Sequence, residues 1–325
     1  MTIADEIDIL ALAGCGARFP AELAAAARAE SRGVKPKRFI GTSGGALASA
    51  LLAAFGARRA IEISQSINPA QLLDGGGALR LASSVIADRA GGLFSMAGFK
   101  RAILREIPHT LDEMPDLAIV TCELATSRAV IWTGDKQLHD SRIVEAASTR
   151  LTWEEHTRDV GAPRWYYAPR ARVADIVCAS MAIPIVFDPQ HLRERVVNEN
   201  GMTVDVDGLH ADGGLAVNYP VNMINRDGAR TLGVAFRPRA AARNIANIAG
   251  VASASVEAAI NATMRQHLDD ATYARTIWID DDGAPLTSFN VDRKRHDALV
   301  SRGEDAADAF FMRARKSLAP LSRSK

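Results

Sequence analysis

The sequence has few cysteines, and their positions match no common site. Its 325 residues include only three, Cys15, Cys122 and Cys178, far apart along the chain. Disulfide frameworks use an even number of cysteines and zinc sites use closely spaced pairs, so neither is expected here. The acidic clusters Glu154-Glu155 and Asp280 to Asp282 lack the spacing of a calcium loop and are expected to be solvated turns. We therefore predict no metal and no cofactor, and a cysteine content suited to a reducing compartment.

The net charge is small, and long apolar runs are also scarce. The net charge is only +1, which gives no case for nucleic-acid binding. The longest nearly apolar run, Ala46 to Ala57, is shorter than the ~20 residues of a membrane-spanning helix. The acidic start, Met1 to Asp8, lacks the basic and apolar regions of a secretory signal peptide. These absences predict a cytoplasmic protein, free or at the periphery of a membrane, and leave export by another route open.

One stretch, Phe39 to Leu47, is typical of a nucleophile elbow. It reads Phe-Ile-Gly-Thr-Ser-Gly-Gly-Ala-Leu, a short apolar strand, a turn with one serine and the start of a buried helix. In a Gly-x-Ser-x-Gly turn the flanking glycines let the strand and helix approach each other, and the serine hydroxyl is pushed outward. Ser43 is therefore a candidate nucleophile, and the amide of Gly44 faces the same space. Alone, the pattern also occurs by chance.

A glycine-containing loop precedes the elbow by one predicted helix. The apolar strand Ile7 to Leu12 leads into Ala13 to Arg18, and a helix follows from Ala21 to Glu30. A dinucleotide fingerprint fails, because Phe19 stands where Gly or Ala is needed and Gly41 where an acidic residue is needed. Two interpretations of this loop remain, a tight strand-to-helix connection and an oxyanion hole. The second gains weight because neighbouring parallel strands bring both loops to one edge of the sheet.

Asp212 is the candidate general base. It follows the predicted strand Val204 to His210 and stands before two glycines, a turn in which a carboxylate can face a neighbouring loop. A carboxylate is a weak base toward a hydroxyl group, so strong oxyanion stabilisation would have to accompany it. An aspartate that only opens a turn is the alternative.

Four motifs in order resemble those of the patatin-like phospholipases. They are Gly14-Cys15-Gly16-Ala17-Arg18, Gly41-Thr42-Ser43-Gly44-Gly45, Cys178 to Pro189, and Asp212-Gly213-Gly214 followed by Asn218-Tyr219-Pro220. The resemblance implies a Ser-Asp dyad without histidine, at Ser43 and Asp212. It also implies an oxyanion hole formed by the amides of Gly14, Cys15 and Gly16, joined by Gly44. The chain departs from the family at Cys15 and Phe19, where glycine is usual, and a Cβ at Cys15 is expected to narrow the loop.

The resemblance also implies the fold, a three-layer α/β/α arrangement with a mostly parallel central sheet. We expect one patatin-like domain over residues 1–325, with its motif-bearing core at about 7–282 and a helical segment at about 290–325. Further strands are predicted at 115–123, 128–132, 231–236 and 276–280, and helices at 58–67, 95–107 and 244–270. Asp74 to Gly92 is either a lid over an acyl pocket or a surface connection. The aromatic stretch Leu151 to Pro169 either grips a lipid interface or packs on its own domain.

The histidines are the basis of a rival hypothesis, a Ser-His-acid triad. In an α/β-hydrolase the histidine follows the acid, which leaves His267 in a predicted helix and His296 in a charged run at the start of the last helix. His210 stands two residues before Asp212, and in a strand this spacing only places both on one face. We expect all seven histidines to be structural or surface residues.

The sequence therefore predicts a lipid acyl hydrolase of the phospholipase A type. Its substrate would be a phospholipid or another acyl lipid at a membrane surface, cleaved through an acyl-Ser43 intermediate. An esterase or thioesterase acting on soluble acyl compounds is the alternative among enzymes, and a catalytically silent binding or storage protein is the alternative outside them. The sequence predicts neither the head group nor the oligomeric state.

Overall fold

The computed structural model describes residues 7–73, 77, 82–83, 90–141, 163–224, 230–237, 248–265, 268–281, 283 and 288–318. The strands are β1 Ile9–Leu12, β2 Arg38–Thr42, β3 Leu117–Glu123, β4 Arg128–Thr133, β5 Arg164–Tyr167, β6 Gln190–Val197, β7 Thr203–Asp212, β8 Thr231–Phe236 and β9 Thr276–Ile279. The helices are α1 Phe19–Ser31, α2 Gly44–Ser66, α3 Ala97–Glu106, α4 Val173–Ser180, α5 Ile248–Arg265, α6 Asp270–Ala274 and α7 Arg293–Leu318. Short 3₁₀ turns lie at Gly16–Arg18, Pro69–Leu72, Leu111–Glu113 and Gly213–Leu215.

The central sheet has a parallel half and a mixed half. Its strand order is β4-β5-β6-β7-β3-β2-β1-β8-β9, with a further pairing between β3 and β4. From β3 through β2, β1 and β8 to β9 every pairing is parallel, as expected where helices connect successive strands. On the other side β6 and β7 pair antiparallel, and β7 is antiparallel to β3. A central sheet flanked by helices confirms the predicted fold class.

The two faces of the sheet carry separate hydrophobic cores. Successive residues of a strand point to opposite faces. Leu10 and Leu12 of β1 join a core with α1, α2, α3, α4 and α7. Ile9 and Ala11 join the other core, with Met264 of α5 and the segment 217–224. These helices and cores form the outer layers on either side of the sheet.

Helix α7 packs along α1, in the first of these cores. Phe310 and Phe311 are buried there, and the guanidinium group of Arg28 donates to the two carboxylate oxygens of Asp308 at 2.9 and 2.7 Å. The C-terminal helical segment is therefore packed on the motif-bearing part of the chain.

Two strands meet end to end along one edge of β3. Strand β2 pairs with the first part of β3 and ends with Thr42 opposite Val120. Strand β7 arrives from the opposite direction and ends with Asp212 opposite Thr121. Because Val120 and Thr121 are consecutive, the residue after Thr42 lies beside Asp212. This junction brings the two halves of the sheet together at Ser43.

The structure differs from the sequence analysis in several elements. The helix predicted at 58–67 continues α2, which bends at Gly56, where φ is 70° and ψ is 166°. The sequence analysis does not predict β5, β6 or α4. Strand β6 is rich in polar side chains, which are exposed or half-buried, and only Leu192 and Val196 are buried, so it has no apolar run to mark it. Most of the predicted lid and of the aromatic stretch 151–169 lie outside the described residues.

Candidate active site

Ser43 occupies a strained turn between β2 and α2. Its backbone has φ 54° and ψ −124°, a combination that few residues other than glycine adopt. Such strain costs about 1–3 kcal/mol and persists where the surrounding structure enforces it. Here two loops approach closely, since a Cβ on Gly44 would lie 2.3 Å from the carbonyl oxygen of Gly16. Gly44 is the variable position of the Gly-x-Ser-x-Gly motif, and the close approach of Gly16 requires glycine there as well.

The hydroxyl group of Ser43 donates a hydrogen bond to the carboxylate of Asp212. The distance from Oγ to Oδ2 is 2.6 Å, and both side chains are buried. The other carboxylate oxygen, Oδ1, accepts a hydrogen bond from the amide of Gly214 at 2.8 Å, which fixes Oδ2 toward the serine. A general base has to lie within this distance of the proton that it takes. The structure thus brings together the two residues that the sequence singles out.

Burial changes the acidity of Asp212. It raises the pKa of the carboxyl group from its ordinary value of 3.8 to about 6, against the opposing effect of the hydrogen bonds from Ser43 and Gly214. The cause is lost solvation of the charged form. Near pH 7 the group is still mostly ionised, but it is a stronger base than a solvated aspartate.

The glycine-containing loop lies beside Ser43 and presents backbone amides. Among the described residues, the amides of Cys15, Gly16 and Gly44 donate to no protein acceptor. The amide of Gly14 instead donates to the carbonyl oxygen of Asn218 at 2.9 Å. Of the four amides implied by the family resemblance, that of Gly14 is therefore already engaged in holding the loop, and the other three are available to a substrate.

Arg18 anchors this loop. Its Nε donates to the carbonyl oxygen of Cys15 at 3.1 Å, and its Nη1 lies 2.7 Å from a carboxylate oxygen of Asp281. The guanidinium group also stacks on the ring of Phe236, 4.2 Å from its centre. Asp281 is thus an ion-pair partner of Arg18, and its expected role as part of a solvated turn is wrong.

The two departures from the family motif have different consequences. Cys15 has φ −134° and ψ 3°, an ordinary conformation for a residue with a side chain, whereas Gly16 has φ 61°. Burial raises the pKa of the Cys15 thiol well above its ordinary value, so the thiol stays protonated. The side chain at Cys15 is accommodated inside the protein, near Gly44. Phe19, the second departure, is buried and lines a cleft beside Ser43.

That cleft is lined almost entirely by apolar atoms. The ring of Phe187 packs against those of Phe99 and Phe289, with centres 5.7 and 5.3 Å away. Its lining comes from distant parts of the chain: Gly16, Ala17, Phe19, Ser43, Gly44, Pro69, Phe99, Met181, Ile183, Phe187 and Phe289. The sequence analysis misses Pro69, Phe99 and Phe289, because nothing in their local sequence marks a cleft wall.

The described histidines make contacts away from the dyad. The Nδ1 atom of His210 lies 3.0 Å from the hydroxyl oxygen of Thr121, and the ring packs edge-on against Trp132. Burial lowers the pKa of His210 to about 4. The Nε2 atom of His296 lies 2.8 Å from the hydroxyl oxygen of Ser64. His267 lies outside the described residues.

Two further observations concern metals and membranes. In the part of the chain that the structure describes, no three His, Cys, Asp or Glu side chains are grouped to bind a metal ion. None of the helices in that part is both long enough and apolar enough to cross a bilayer.

Comparison with known families places the chain in one of them. The family model described as patatin-like phospholipase matches residues 10–224, more than half of the 325 residues. The chain therefore belongs to the patatin-like phospholipase family, which confirms the resemblance noted from its motifs. Lipid acyl hydrolysis is the general activity of this family.

Solved structures and curated proteins were also compared. VipD from Legionella pneumophila is 14% identical, with a TM-score of 0.48, over 95% of this chain and 67% of VipD. The type III effector protein ExoU is 13% identical, with a TM-score of 0.33, over 95% of this chain. This chain spans about half of the ExoU chain, 53% of its length. No curated protein sequence matches the chain.

Proposed function

We propose that this protein is a lipid acyl hydrolase of the phospholipase A type, in which Ser43 and Asp212 act as a catalytic dyad. The observation that carries the proposal is the 2.6 Å hydrogen bond from Ser43 to Asp212, together with the apolar cleft that Ser43 lines. The hydrogen bond joins a nucleophile and a base directly. An acyl chain bound in the cleft would have its ester group next to Ser43.

The reaction has two half-reactions on the same residues. Ser43 Oγ attacks the ester carbonyl carbon while Asp212 takes the hydroxyl proton, and the amides of Cys15, Gly16 and Gly44 stabilise the oxyanion. Collapse of this intermediate breaks the ester bond, and Asp212 returns the proton to the leaving alcohol. Water then attacks the acyl-Ser43 ester, again with Asp212 as base, and releases the fatty acid. Each oxyanion donor is worth about 3–4 kcal/mol in comparable enzymes.

The lining of the cleft supports a lipid substrate. Each methylene group buried in an apolar cleft contributes about 0.8 kcal/mol, so a long acyl chain gains more there than a short one. The segment that carries Ile183 and Phe187 of the cleft wall also carries Ile185, which is 43% exposed. Ile185 has φ 73°, and we propose that this exposed side chain beside the cleft contacts the membrane surface.

We also propose that a single domain carries this activity and that the protein works in the cytoplasm, at the periphery of a membrane. Support for one domain comes from the C-terminal region, since Phe289 belongs to the cleft wall and α7 packs on α1. A truncation before residue 288 would remove both contributions.

The test compares three substrates with the same acyl chain. Fatty acid release is measured from phosphatidylcholine vesicles, from a water-soluble monomeric ester and from an acyl thioester, with Ser43→Ala as the control for background hydrolysis. We expect the highest kcat/KM on vesicles and no release above background by Ser43→Ala. Faster hydrolysis of the soluble ester or thioester would make the protein an esterase or thioesterase. No release from any substrate, with no labelling by a fluorophosphonate, would make it a silent binding protein.

A further inference from the structure

The residues at the end of α4 contact both members of the dyad. Ser180 is fully buried, and its Oγ accepts a hydrogen bond from the backbone amide of Ser43 at 2.8 Å. The Ser180 hydroxyl donates its own proton to the carbonyl oxygen of Val120 at 2.5 Å. Two residues later, the carbonyl oxygen of Ala182 accepts the backbone amide of Asp212 at 2.9 Å. One turn of chain therefore binds the backbone of the nucleophile and the backbone of the base.

These contacts lie at the junction of the two sheet halves. Val120 is the β3 residue opposite the end of β2, and the next residue, Thr121, is opposite Asp212. Ser180 thus links the Ser43 turn to β3 by hydrogen bonds. Strand β3 is also the strand with which Asp212 pairs. Strand β7 pairs with β3 through only three residue pairs, so the position of Asp212 depends on contacts beyond the sheet.

The Ser43 turn needs a partner for its amide. The backbone of Ser43 is strained, and leaving its buried amide unpaired would destabilise the turn further. A turn that lost its partner would relax and carry the Ser43 hydroxyl away from Asp212. A misplacement of about 1 Å in an active site can reduce turnover about a hundredfold. Because the Ser43 amide is bound to Ser180, it is also not a donor to the substrate oxyanion.

We propose that Ser180 is a positioning residue, which together with the Ala182 carbonyl sets the distance between Ser43 Oγ and Asp212 Oδ2. This inference rests on the proposed function, since it assigns Ser180 a role in that reaction. Ser180 contributes no atom to the chemistry. It acts on kcat through the geometry of the dyad and leaves the apolar cleft, and hence substrate binding, unchanged.

The experiment compares Ser180→Ala with Ser64→Ala. Ser64 is also buried in α2 and loses two contacts on substitution, one to the carbonyl oxygen of Ile61 at 2.7 Å and one to His296 at 2.8 Å. It lies at the opposite end of α2 from the elbow, so it controls for the loss of a buried hydroxyl group. The measurements are kcat and KM on a monomeric ester, the rate of fluorophosphonate labelling of Ser43, and the thermal midpoint.

For Ser180→Ala we expect kcat and the labelling rate to fall about a hundredfold, with KM within about threefold of wild type. Ser64→Ala should keep kcat within about threefold, although its thermal midpoint falls. If Ser180→Ala does not fold, Ser180→Cys, with similar volume and a weak sulfur acceptor, should show at least a tenfold loss of kcat. A folded Ser180 variant with kcat within threefold of wild type would overturn the inference. Inactive, unlabelled wild-type protein would instead refute the proposed function.

Discussion

The two strands that meet on β3 deliver their residues by different means. Strand β2 belongs to the parallel half of the sheet, and its Ser43 is placed by a local turn whose glycines permit close backbone contact. Strand β7 belongs to the mixed half, and Asp212 is placed by the register of three residue pairs with β3 together with the hydrogen bond from its amide to the carbonyl oxygen of Ala182. A shift of one residue in that register would turn the carboxylate to the other face. The nucleophile therefore depends on local geometry, and the base depends on long-range pairing.

Ser43 and Asp212 also differ in the way that each one reduces the stability of the folded protein. At Ser43 the cost is backbone strain, which the contact with the glycine-containing loop enforces. At Asp212 the cost is a carboxylate buried among apolar residues, with its pKa raised to about 6. Both costs lie at residues of the proposed dyad, where stability is exchanged for reactivity. Substitutions on either side should separate these contributions.

The largest effect is expected from removing either member of the dyad. Ser43→Ala and Asp212→Asn should each reduce ester hydrolysis by at least about 10³-fold, because residues that act as one unit fail together. Steady-state rates on a chromogenic ester give the comparison. His210→Ala and His296→Ala should stay within about tenfold of wild type, and His267→Ala should do so too. If a folded histidine variant were inactive while Asp212→Asn kept its activity, a triad would replace the dyad.

A smaller effect is expected from disturbing the register on the Asp212 side alone. Gly213 follows β7 directly, and a Cβ there would lie 2.3 Å from the carbonyl oxygen of Val120, whereas a Cβ on Gly208 within β7 would meet nothing closer than 3.8 Å. Gly213→Ala should therefore reduce kcat about a hundredfold, and Gly208→Ala should change it little. Equal kcat values in the two folded variants would show that the end of β7 does not set the position of the base.

The buried carboxylate should also be visible in stability. Since the pKa of Asp212 is raised from 3.8 to about 6, the folded protein binds a proton more tightly than the unfolded chain between these values. The free energy of unfolding then falls as the pH rises from about 4 to 6, and it stays reduced above. Asp212→Asn should be more stable than wild type at pH 8, by about 1–3 kcal/mol, with no gain at pH 3.

Urea unfolding at the two pH values measures this difference. Asp135→Asn is the control, because it removes an ion pair with Arg38 at 2.8 Å and should destabilise the protein at pH 8. A less stable Asp212→Asn at pH 8 would mean that the Asp212 carboxylate is not under strain.

The smallest effect is expected in the cleft beside Ser43. Phe19→Ala removes a wall of the cleft and should raise the ratio of kcat/KM on long-chain esters to that on short-chain esters roughly fivefold, since more methylene groups can be buried. Phe310→Ala, a buried phenylalanine of α7 outside the cleft lining, should lower stability and leave the ratio unchanged. An unchanged ratio in Phe19→Ala would place the acyl chain elsewhere.

The nucleophile side could be predicted from the sequence because its information is local. The Gly-x-Ser-x-Gly turn around Ser43 follows from steric rules over five residues. The fold class follows from the family resemblance of the four motifs, and strand β1 follows from the apolar run Ile7 to Leu12. Asp212 was marked only by its turn and by the family resemblance.

The rest could not be predicted because it depends on residues far apart in the chain. The cleft walls Phe99 and Phe289 come together only through packing, and the partner of Arg18 at Asp281 lies more than 260 positions away. Strand β6 has a polar sequence and is stabilised by pairing with β7. The amide of Gly14 donates its hydrogen bond to the carbonyl oxygen of Asn218. No local sequence pattern predicts this contact, because the two residues are far apart in the chain.

The most direct test of the dyad is the pH dependence of fluorophosphonate labelling at Ser43. The second-order labelling rate of wild-type protein should rise with pH, with an apparent pKa near 6, because Asp212 has to be ionised to accept the serine proton. Asp212→Asn should be labelled at least about a hundredfold more slowly, with no inflection near pH 6. Rapid labelling of Asp212→Asn with the wild-type pH profile would contradict the account.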